Sequence, residues 1–256
     1  MGLGMARCAA RAGYPVVGHS RGRPEHQALV ADGGSLAENF LDVVRDCDAV
    51  CINVFNDGQV RSVLHDSGVL AQLKTGSVLV VHTTGDPALS RQLQADAPTG
   101  VEVVDGAFSG SPAQAAAGEL TIMAGGSDSA WARAQPLFAT YAAFVRHVGP
   151  TGAGMQLKLI NNLLFAAQVR LAAATYRIAA GQGFSVETVA EVLARCSAAS
   201  RALDIVGARG QVADNLARMR VYLEKDVATA RHIAETAGIE LGIVGAVANG
   251  ASDEDI

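Results

Sequence analysis

The chain has 256 residues, half of them hydrophobic and few aromatic, which suits one large or two ordinary globular domains and excludes a disordered or fibrous protein. Its formal net charge of −5 argues against an extended basic face, so we expect no nucleic-acid partner. Its four cysteines form no CxxC pair and have no histidine at zinc-finger spacing, which predicts reduced thiols, a cytoplasmic location and no metal site.

The most apolar long segment, residues 159–184, is interrupted by Arg170 and Arg177. A membrane span needs about 20 consecutive apolar residues, so this segment predicts a buried helix of a soluble protein. The first residues also lack the basic and apolar regions of a signal peptide. We therefore expect no membrane association.

Short apolar runs alternate with helical stretches over residues 1–150. This alternation favours a mainly parallel sheet whose strands are joined by helices. Helices are expected over 24–31 and 58–73. The predicted strands are 16–19, 49–54, 77–82, 101–105, 120–124 and 145–148.

The second half of the sequence carries no strand signal. A long helix is predicted over 155–180, followed by helices over 186–194, 218–238 and 241–247. Glycine and proline at 149–152 mark the joint. We expect a nucleotide-binding domain over 1–150 and an all-α domain over 151–256.

The opening segment, "MGLGMARCAARAGYPVVGHSR", contains part of a dinucleotide-binding turn. Counting G-x-G-x-x-G from Gly2 fails, because Arg7 stands where the last glycine belongs. With Gly2 as the third glycine instead, residues 3–12 form the first helix and 14–19 the second strand. The expected fold class is then a Rossmann-type α/β domain whose first strand precedes residue 1. The alternative is a helix that merely begins with glycines.

The end of that second strand reads His-Ser-Arg, without the acidic residue that usually accepts from the ribose of NAD. Ser20 and Arg21 could instead bind a 2′-phosphate. The sequence thus favours NADP(H), with NAD(H) as the alternative cofactor.

Two segments carry chemistry suited to a small substrate. The first, "DGAFSGSPA", ends a predicted strand with Ser109 and Gly110, whose hydroxyl and backbone could bind a carboxylate. In the second, "GAGMQLKLINN", Lys158 and Asn162 are four residues apart and share one helix face. Burial would lower the pKa of Lys158 and favour proton transfer. The structural alternatives are a plain Gly/Ser loop and a lysine whose ammonium reaches solvent.

These segments together resemble the β-hydroxyacid dehydrogenase family over nearly the whole chain. "MGLGMA" is similar to the end of its glycine turn, and "DGAFSGSPAQAAAGELTIMAGG" to its D-A-P-V-S-G-G loop. "GAGMQLKLINN" matches its G-x-G-x-x-x-K-x-x-N-N segment without a break. "EKDVATARHIAETAG" resembles its K-D segment, although Glu224-Lys225-Asp226 alone would be an ordinary exposed charge run.

The resemblance implies hydride transfer between a nicotinamide dinucleotide and a short β-hydroxy acid or its semialdehyde. Lys158 would be the general acid and base, Asn162 would hold the substrate, and Ser109 with Gly110 would bind its carboxylate. The residues implied to contact the cofactor are Gly2, Leu3, Val54, Phe55, Thr84 and Lys225. Related enzymes associate through the helical domain, so a dimer or tetramer is expected.

The sequence departs from the family at two places. Phe55 replaces a usual proline, and Ser111 replaces a glycine of the substrate loop, which puts the substrate in question. Lys158 favours a carbonyl or alcohol over an imine, because imine reductases usually lack this lysine. An imine reductase and a homologue that binds nucleotide without catalysis remain as alternatives.

Overall fold

A computed structural model describes residues 1–19, 26–44 and 46–249. Contacts along the chain divide it into two compact units, Met1–Lys158 and Leu159–Ile256, and each is described by itself. The expected domain boundary after residue 150 stays a prediction.

In its described residues the first unit contains a five-stranded sheet in the order β3-β4-β5-β6-β7. Its pairs are parallel except β5 with β6, which is antiparallel. A separate parallel pair is formed by β1 and β2. The strands are β1 (Val17–His19), β2 (Ser35–Ala37), β3 (Ala49–Ile52), β4 (Val78–Val81), β5 (Glu102–Ser109), β6 (Leu120–Gly125) and β7 (Ala142–Gly149).

Strand β4 shows why this sheet is covered on both faces. Successive strand residues point to opposite sides. Leu79 and Val81 belong to one apolar cluster, whereas Val78 and Val80 belong to another. All four are buried, as expected for a central parallel strand. The surrounding helices are α1 (Gly2–Arg11), α2 (Gln27–Ala31), α3 (Phe40–Val44), α4 (Asp57–Arg61), α5 (Pro87–Asp96), α6 (Pro112–Ala117) and α7 (Asp128–Phe138).

Helix α1 packs closely on α6. A Cβ on Gly4 would lie 2.9 Å from the backbone of Ala115, and the Cys8 thiol donates to the Ala115 carbonyl at 3.4 Å. Helix packing therefore explains the glycine at position 4. Gly2 has no such contact with α6 and is the first residue of the helix.

The second unit is helical throughout its described residues. Its elements are α8 (Ala153–Gly181), which begins in the first unit, α9 (Val186–Leu193), α10 (Arg201–Gly207), α11 (Val212–Ala237) and α12 (Gly242–Asn249). Ser185 and Ser200 cap α9 and α10 with their hydroxyls. The predicted class, a Rossmann-type α/β region followed by an all-α region, is confirmed. No described helix combines the length and apolarity needed to cross a bilayer.

Several local predictions were wrong. The helix predicted over 58–73 consists instead of α4, a π-helical turn at Ser62–Asp66 and a 3₁₀ turn at Leu70–Gln72. Strand β2 and helix α10 were not predicted, because they are only three and seven residues long. The apolar run at 101–105 covers only the first part of β5, which continues to Ser109, where the DGAFSGSPA segment predicted a strand end.

Candidate functional site

The candidate residues of the first unit gather at one edge of the sheet. Strands β3, β4 and β5 are parallel, and Ile52, Val81 and Asp105 are in register. The carboxyl ends of parallel strands lie at one edge, where α/β proteins bind their ligands. Three segments distant in sequence follow these aligned positions toward the same edge: Val54 with Phe55, Thr84, and Ser109 with Gly110.

Side-chain hydrogen bonds join the loops that follow β3 and β4. The Thr83 hydroxyl accepts from the Val54 N–H at 2.9 Å, and the Asp57 carboxylate accepts from the Asp86 N–H at 2.9 Å. A Cβ on Gly85 would overlap this carboxylate. The two loops thus form one connected surface beside half-buried Thr84. The sequence analysis missed Thr83 and Asp57, because neither carries a signal apart from its partner.

The start of α1 lies beside the end of β3. A Cβ on Gly2 would be 3.5 Å from the Cβ of Asn53, the residue after β3. No acidic residue occupies the first turn of α1, and Gly2 and Leu3 are half-buried. A helix start at this sheet edge suits an anion, so these residues fit the pyrophosphate of a dinucleotide. Ser20 and Arg21, the predicted phosphate-binding pair, lie outside the described residues.

The substrate loop has its backbone set by glycine and by a helix cap. Ser109 pairs with Thr121 across β6. Gly110 has a φ of +146°, and a Cβ there would lie 2.6 Å from Leu120. Ser111 accepts from the Gln114 N–H, while the Gln114 side chain accepts from the Ser111 N–H. The departure from glycine at 111 thus has a structural use, as the cap of α6.

Lys158 projects from the second turn of α8 and is 8% exposed. The first turn of this helix is held by Asp105, a fully buried carboxylate of β5. Asp105 accepts from the N–H groups of Gly152 at 2.6 Å and Met155 at 2.7 Å. Burial raises the pKa of Asp105 to about 6, although its backbone donors oppose the shift.

In the second unit, Asp226 connects Asn162 with Lys225. Its carboxylate accepts from the Asn162 amide and from the Lys225 ammonium, both at 2.6 Å. The Asn162 oxygen accepts from Asn161 at 2.9 Å. Asp226 is 5% exposed, so the interpretation of this segment as an exposed charge run was wrong for it. The apolar residues that flank Asp226 in α11 were the sequence signal that could have predicted its burial.

His82, the residue after β4, is also a buried polar group near this edge. Its ring lies against Phe108, Phe138 and Tyr141, and its nitrogens contact the Gly106 carbonyl and the Tyr141 hydroxyl. Burial lowers the pKa of His82 to about 4. Within residues 1–19, 26–44 and 46–249, no group of three or more His, Cys, Asp or Glu side chains is arranged to hold a metal.

Comparisons with known proteins find similar sequences and similar folds. Residues 1–149 match the NAD binding domain of 6-phosphogluconate dehydrogenase. An NAD-dependent L-serine dehydrogenase of Pseudomonas aeruginosa is 32% identical over 224 residues, covering 87% of this chain and 75% of the relative. A crystal structure of 3-hydroxyisobutyrate dehydrogenase from Salmonella typhimurium has a TM-score of 0.82 and 28% identity, covering 97% of this chain and 88% of that one.

One curated relative is matched over a smaller share of its length. An uncharacterized oxidoreductase of Mycobacterium tuberculosis is 33% identical over 173 residues, which are 67% of this chain. The match spans 59% of that relative.

Proposed function

Because this chain belongs to the β-hydroxyacid dehydrogenase family, we propose that it oxidises a short β-hydroxy acid, or reduces the corresponding semialdehyde, with a nicotinamide dinucleotide. The observation that carries the proposal is the near-complete burial of Lys158 one turn into α8. Ionisable side chains buried at one edge of an enzyme site are often functional, and proton transfer is a common function of such a lysine.

We assign to Lys158 the transfer of the proton to and from the reacting oxygen. In oxidation, its neutral amine accepts the hydroxyl proton while the carbinol C–H bond breaks and a carbonyl forms. In reduction, its ammonium returns that proton to the alkoxide. The dinucleotide, when bound, accepts or donates the hydride. An ammonium beside the oxygen stabilises the charge that develops in the transition state more than the ground state.

The other roles follow from the chemistry of the groups at the sheet edge and in the helical unit. We assign to Ser109 and Gly110 the binding of the substrate carboxylate, because a hydroxyl and an exposed backbone N–H can donate to that anion. Asn162 would hold the substrate through its amide. The residues assigned to the cofactor are Gly2 and Leu3 for the pyrophosphate, Val54 and Phe55 for packing against the dinucleotide, and Thr84 and Lys225 for the nicotinamide side.

The cofactor preference is proposed from the sequence. Ser20 and Arg21 match a 2′-phosphate better than a ribose hydroxyl, so we assign NADP(H) over NAD(H). Titration of nicotinamide fluorescence with NADPH and NADH tests this assignment. Arg21→Ala should weaken NADPH binding about tenfold or more and leave NADH binding within twofold, since one charge-assisted hydrogen bond contributes about 1.5–3 kcal/mol. Equal losses for both cofactors would contradict it.

Lys158→Ala tests the reaction itself. General acid–base catalysis contributes roughly 10²–10⁴-fold, so kcat should fall by that factor while dinucleotide affinity stays near wild type. Lys74→Ala is the matched control, because Lys74 is exposed and pairs with Asp48 on the surface. Substrates should include L-serine, 3-hydroxyisobutyrate and a cyclic imine. Turnover of hydroxy acids by Lys158→Ala at the wild-type rate would refute the assignment.

A homo-oligomer is also proposed. Apolar side chains at helical spacing remain exposed along one side of α8, and we call them the α8 stripe: Ile160, Leu164, Leu171 and Ile178. A contiguous apolar patch on a soluble protein usually marks an interface. The stripe is regular enough to pack against itself in a two-fold arrangement, so a second copy of this chain is the proposed occupant.

A further inference from the structure

The first turn of α8 is joined to strand β5 through a single carboxylate. The first N–H groups of a helix have no partner within the helix. Asp105 supplies acceptors here, with one oxygen bonded to the N–H of Gly152 and the other to that of Met155, and the Gly154 N–H also donates to this carboxylate. Both oxygens are therefore used, and the side chain has no exposed surface.

Glycines allow the backbone to approach this carboxylate closely. A Cβ on Gly154 would overlap the Met123 carbonyl and lie 2.6 Å from that of Asp105. A Cβ on Gly125 would lie 2.5 Å from the Asp105 carboxylate, and Gly152 has a φ of +98°. The G-x-G of "GAGMQLK" is thus explained by packing around Asp105 rather than by a ligand.

We propose that Asp105 is the positioning residue for Lys158. Met155, whose N–H Asp105 holds, is three residues before Lys158, so the two lie on one helix face about 4.5 Å apart along the axis. Four residues after Asp105, the same strand presents Ser109. One carboxylate thereby relates the strand that binds the substrate carboxylate to the turn that carries the general acid. This inference rests on the proposed function of Lys158.

Positioning of this kind has a measurable consequence. Displacement of a reacting group by about 1 Å can cost about 10²-fold in rate. Asp105→Asn keeps the size of the side chain but turns an NH2 group toward a backbone N–H, which breaks one of the two bonds. The first turn of α8 should then loosen, and Lys158 should lose its set position.

Glu102 provides a matched control on the same strand. Its carboxylate accepts from the hydroxyls of Ser127 and Ser129 at 2.5 Å, at the start of α7. Glu102→Gln keeps an oxygen acceptor but removes the charge, so it weakens a helix start attached to β5 that carries no proposed catalytic group. A purely structural role for Asp105 predicts the same effects from both variants.

The experiment combines hydrogen–deuterium exchange with steady-state kinetics on the full chain. In Asp105→Asn, the backbone amides of residues 152–158 should exchange at least tenfold faster, whereas in Glu102→Gln they should exchange as in wild type. At saturating dinucleotide, Asp105→Asn should lower kcat about 10²-fold with the dinucleotide Kd within twofold, and Glu102→Gln should change kcat less than twofold. Asp105→Ser, which keeps one acceptor without the NH2 group, is the second variant in case Asp105→Asn fails to fold.

The two proposals fail separately. Unchanged exchange over 152–158 in Asp105→Asn overturns the positioning role whether or not the protein turns over a hydroxy acid. Equal kcat in Asp105→Asn and Glu102→Gln also overturns it. A wild-type protein without turnover, together with faster exchange in Asp105→Asn, would contradict the proposed function and support the anchoring of α8.

Discussion

The amide of Asn162 donates to the carboxylate of Asp226 at 2.6 Å, 64 residues away in sequence. This bond orients the amide, whose nitrogen faces Asp226 and whose oxygen accepts from Asn161. The same carboxylate accepts from Lys225, so a buried acid controls two of the side chains assigned to binding. Asp226 has its own charge balanced by the Lys225 ammonium, which is what a buried carboxylate requires.

Asp226→Asn should therefore weaken substrate binding more than the chemical step. Asparagine can accept from one of the two donors and removes the negative charge beside the Lys225 ammonium. Loss of one charge-assisted hydrogen bond costs about 1.5–3 kcal/mol, so KM should rise about tenfold or more with kcat changed less. Glu224→Gln, on an exposed residue paired with Arg220, is the control. Steady-state kinetics at saturating cofactor measure both, and an unchanged KM in Asp226→Asn would rule out the binding role.

The elements that the sequence predicted well are those with a local signature. The apolar run at 77–82 identifies β4, and the long helical period after 154 identifies α8, because both patterns reflect burial on the element itself. The motif containing Lys158 and Asn162 could also be recognised from the sequence, because all of its residues lie in one short segment. Short elements such as β2 leave too few residues for a period to be read.

The residues that the sequence analysis missed have distant partners. Asp105 meets Gly152 and Met155 across 47 and 50 residues, and Thr83 meets Val54 across 29. An aspartate that caps a remote helix has the same local pattern as one that ends a strand. Only the folded arrangement distinguishes the two, which is why Asp105 appeared in the sequence solely as the first letter of a loop motif.

Thr83→Val should weaken dinucleotide binding, because it removes the acceptor for the Val54 N–H and disconnects the loops after β3 and β4. An N–H left without a partner costs about 1–3 kcal/mol, which corresponds to about tenfold in Kd if the loop is ordered only on binding. Thr140→Val is the matched control, since its hydroxyl donates to Leu137 at the end of α7. Fluorescence titration with NADPH distinguishes them, and equal affinities would show that the bridge has no part in binding.

Gly154→Ala should destabilise the protein by about 1–3 kcal/mol, because the added methyl would overlap the backbone of β5 and β6. Gly181→Ala, at the far end of the same helix, has open space around the added Cβ and should be neutral or stabilising by up to about 1 kcal/mol. Urea denaturation gives both free energies of unfolding. A Gly154→Ala variant as stable as Gly181→Ala would mean that the contact around Asp105 can expand without cost.

His82 should make stability increase with pH in the acidic range. Its pKa is about 4 in the folded protein against an ordinary value of 6.5, so the unfolded chain binds the additional proton between these values. The free energy of unfolding therefore decreases by about 3 kcal/mol as pH falls from 6.5 through 4. Asp105 acts in the opposite direction, since its pKa of about 6 against 3.8 favours the folded protein at low pH.

His82→Asn separates these two contributions. The difference in unfolding free energy between wild type and variant should become more favourable to wild type by about 3 kcal/mol between pH 4 and 6.5. His232→Asn, on an exposed residue of α11, is the control for the exchange of histidine for asparagine itself. Urea denaturation at a series of pH values provides the measurement, and a difference that is constant with pH would contradict a neutral buried imidazole.

Charges placed in the α8 stripe should dissociate the proposed oligomer. Ile160 and Leu171 are 63% and 57% exposed on one side of the helix, and glutamate at both positions would bring like charges together across a two-fold interface. Sedimentation velocity should show the wild type as a dimer or tetramer and the Ile160→Glu, Leu171→Glu variant as a monomer. Ile243→Glu, on a residue of α12 that is 79% exposed, is the control and should keep the wild-type assembly. A monomeric wild type, or a double variant that still associates, would exclude the stripe as the interface.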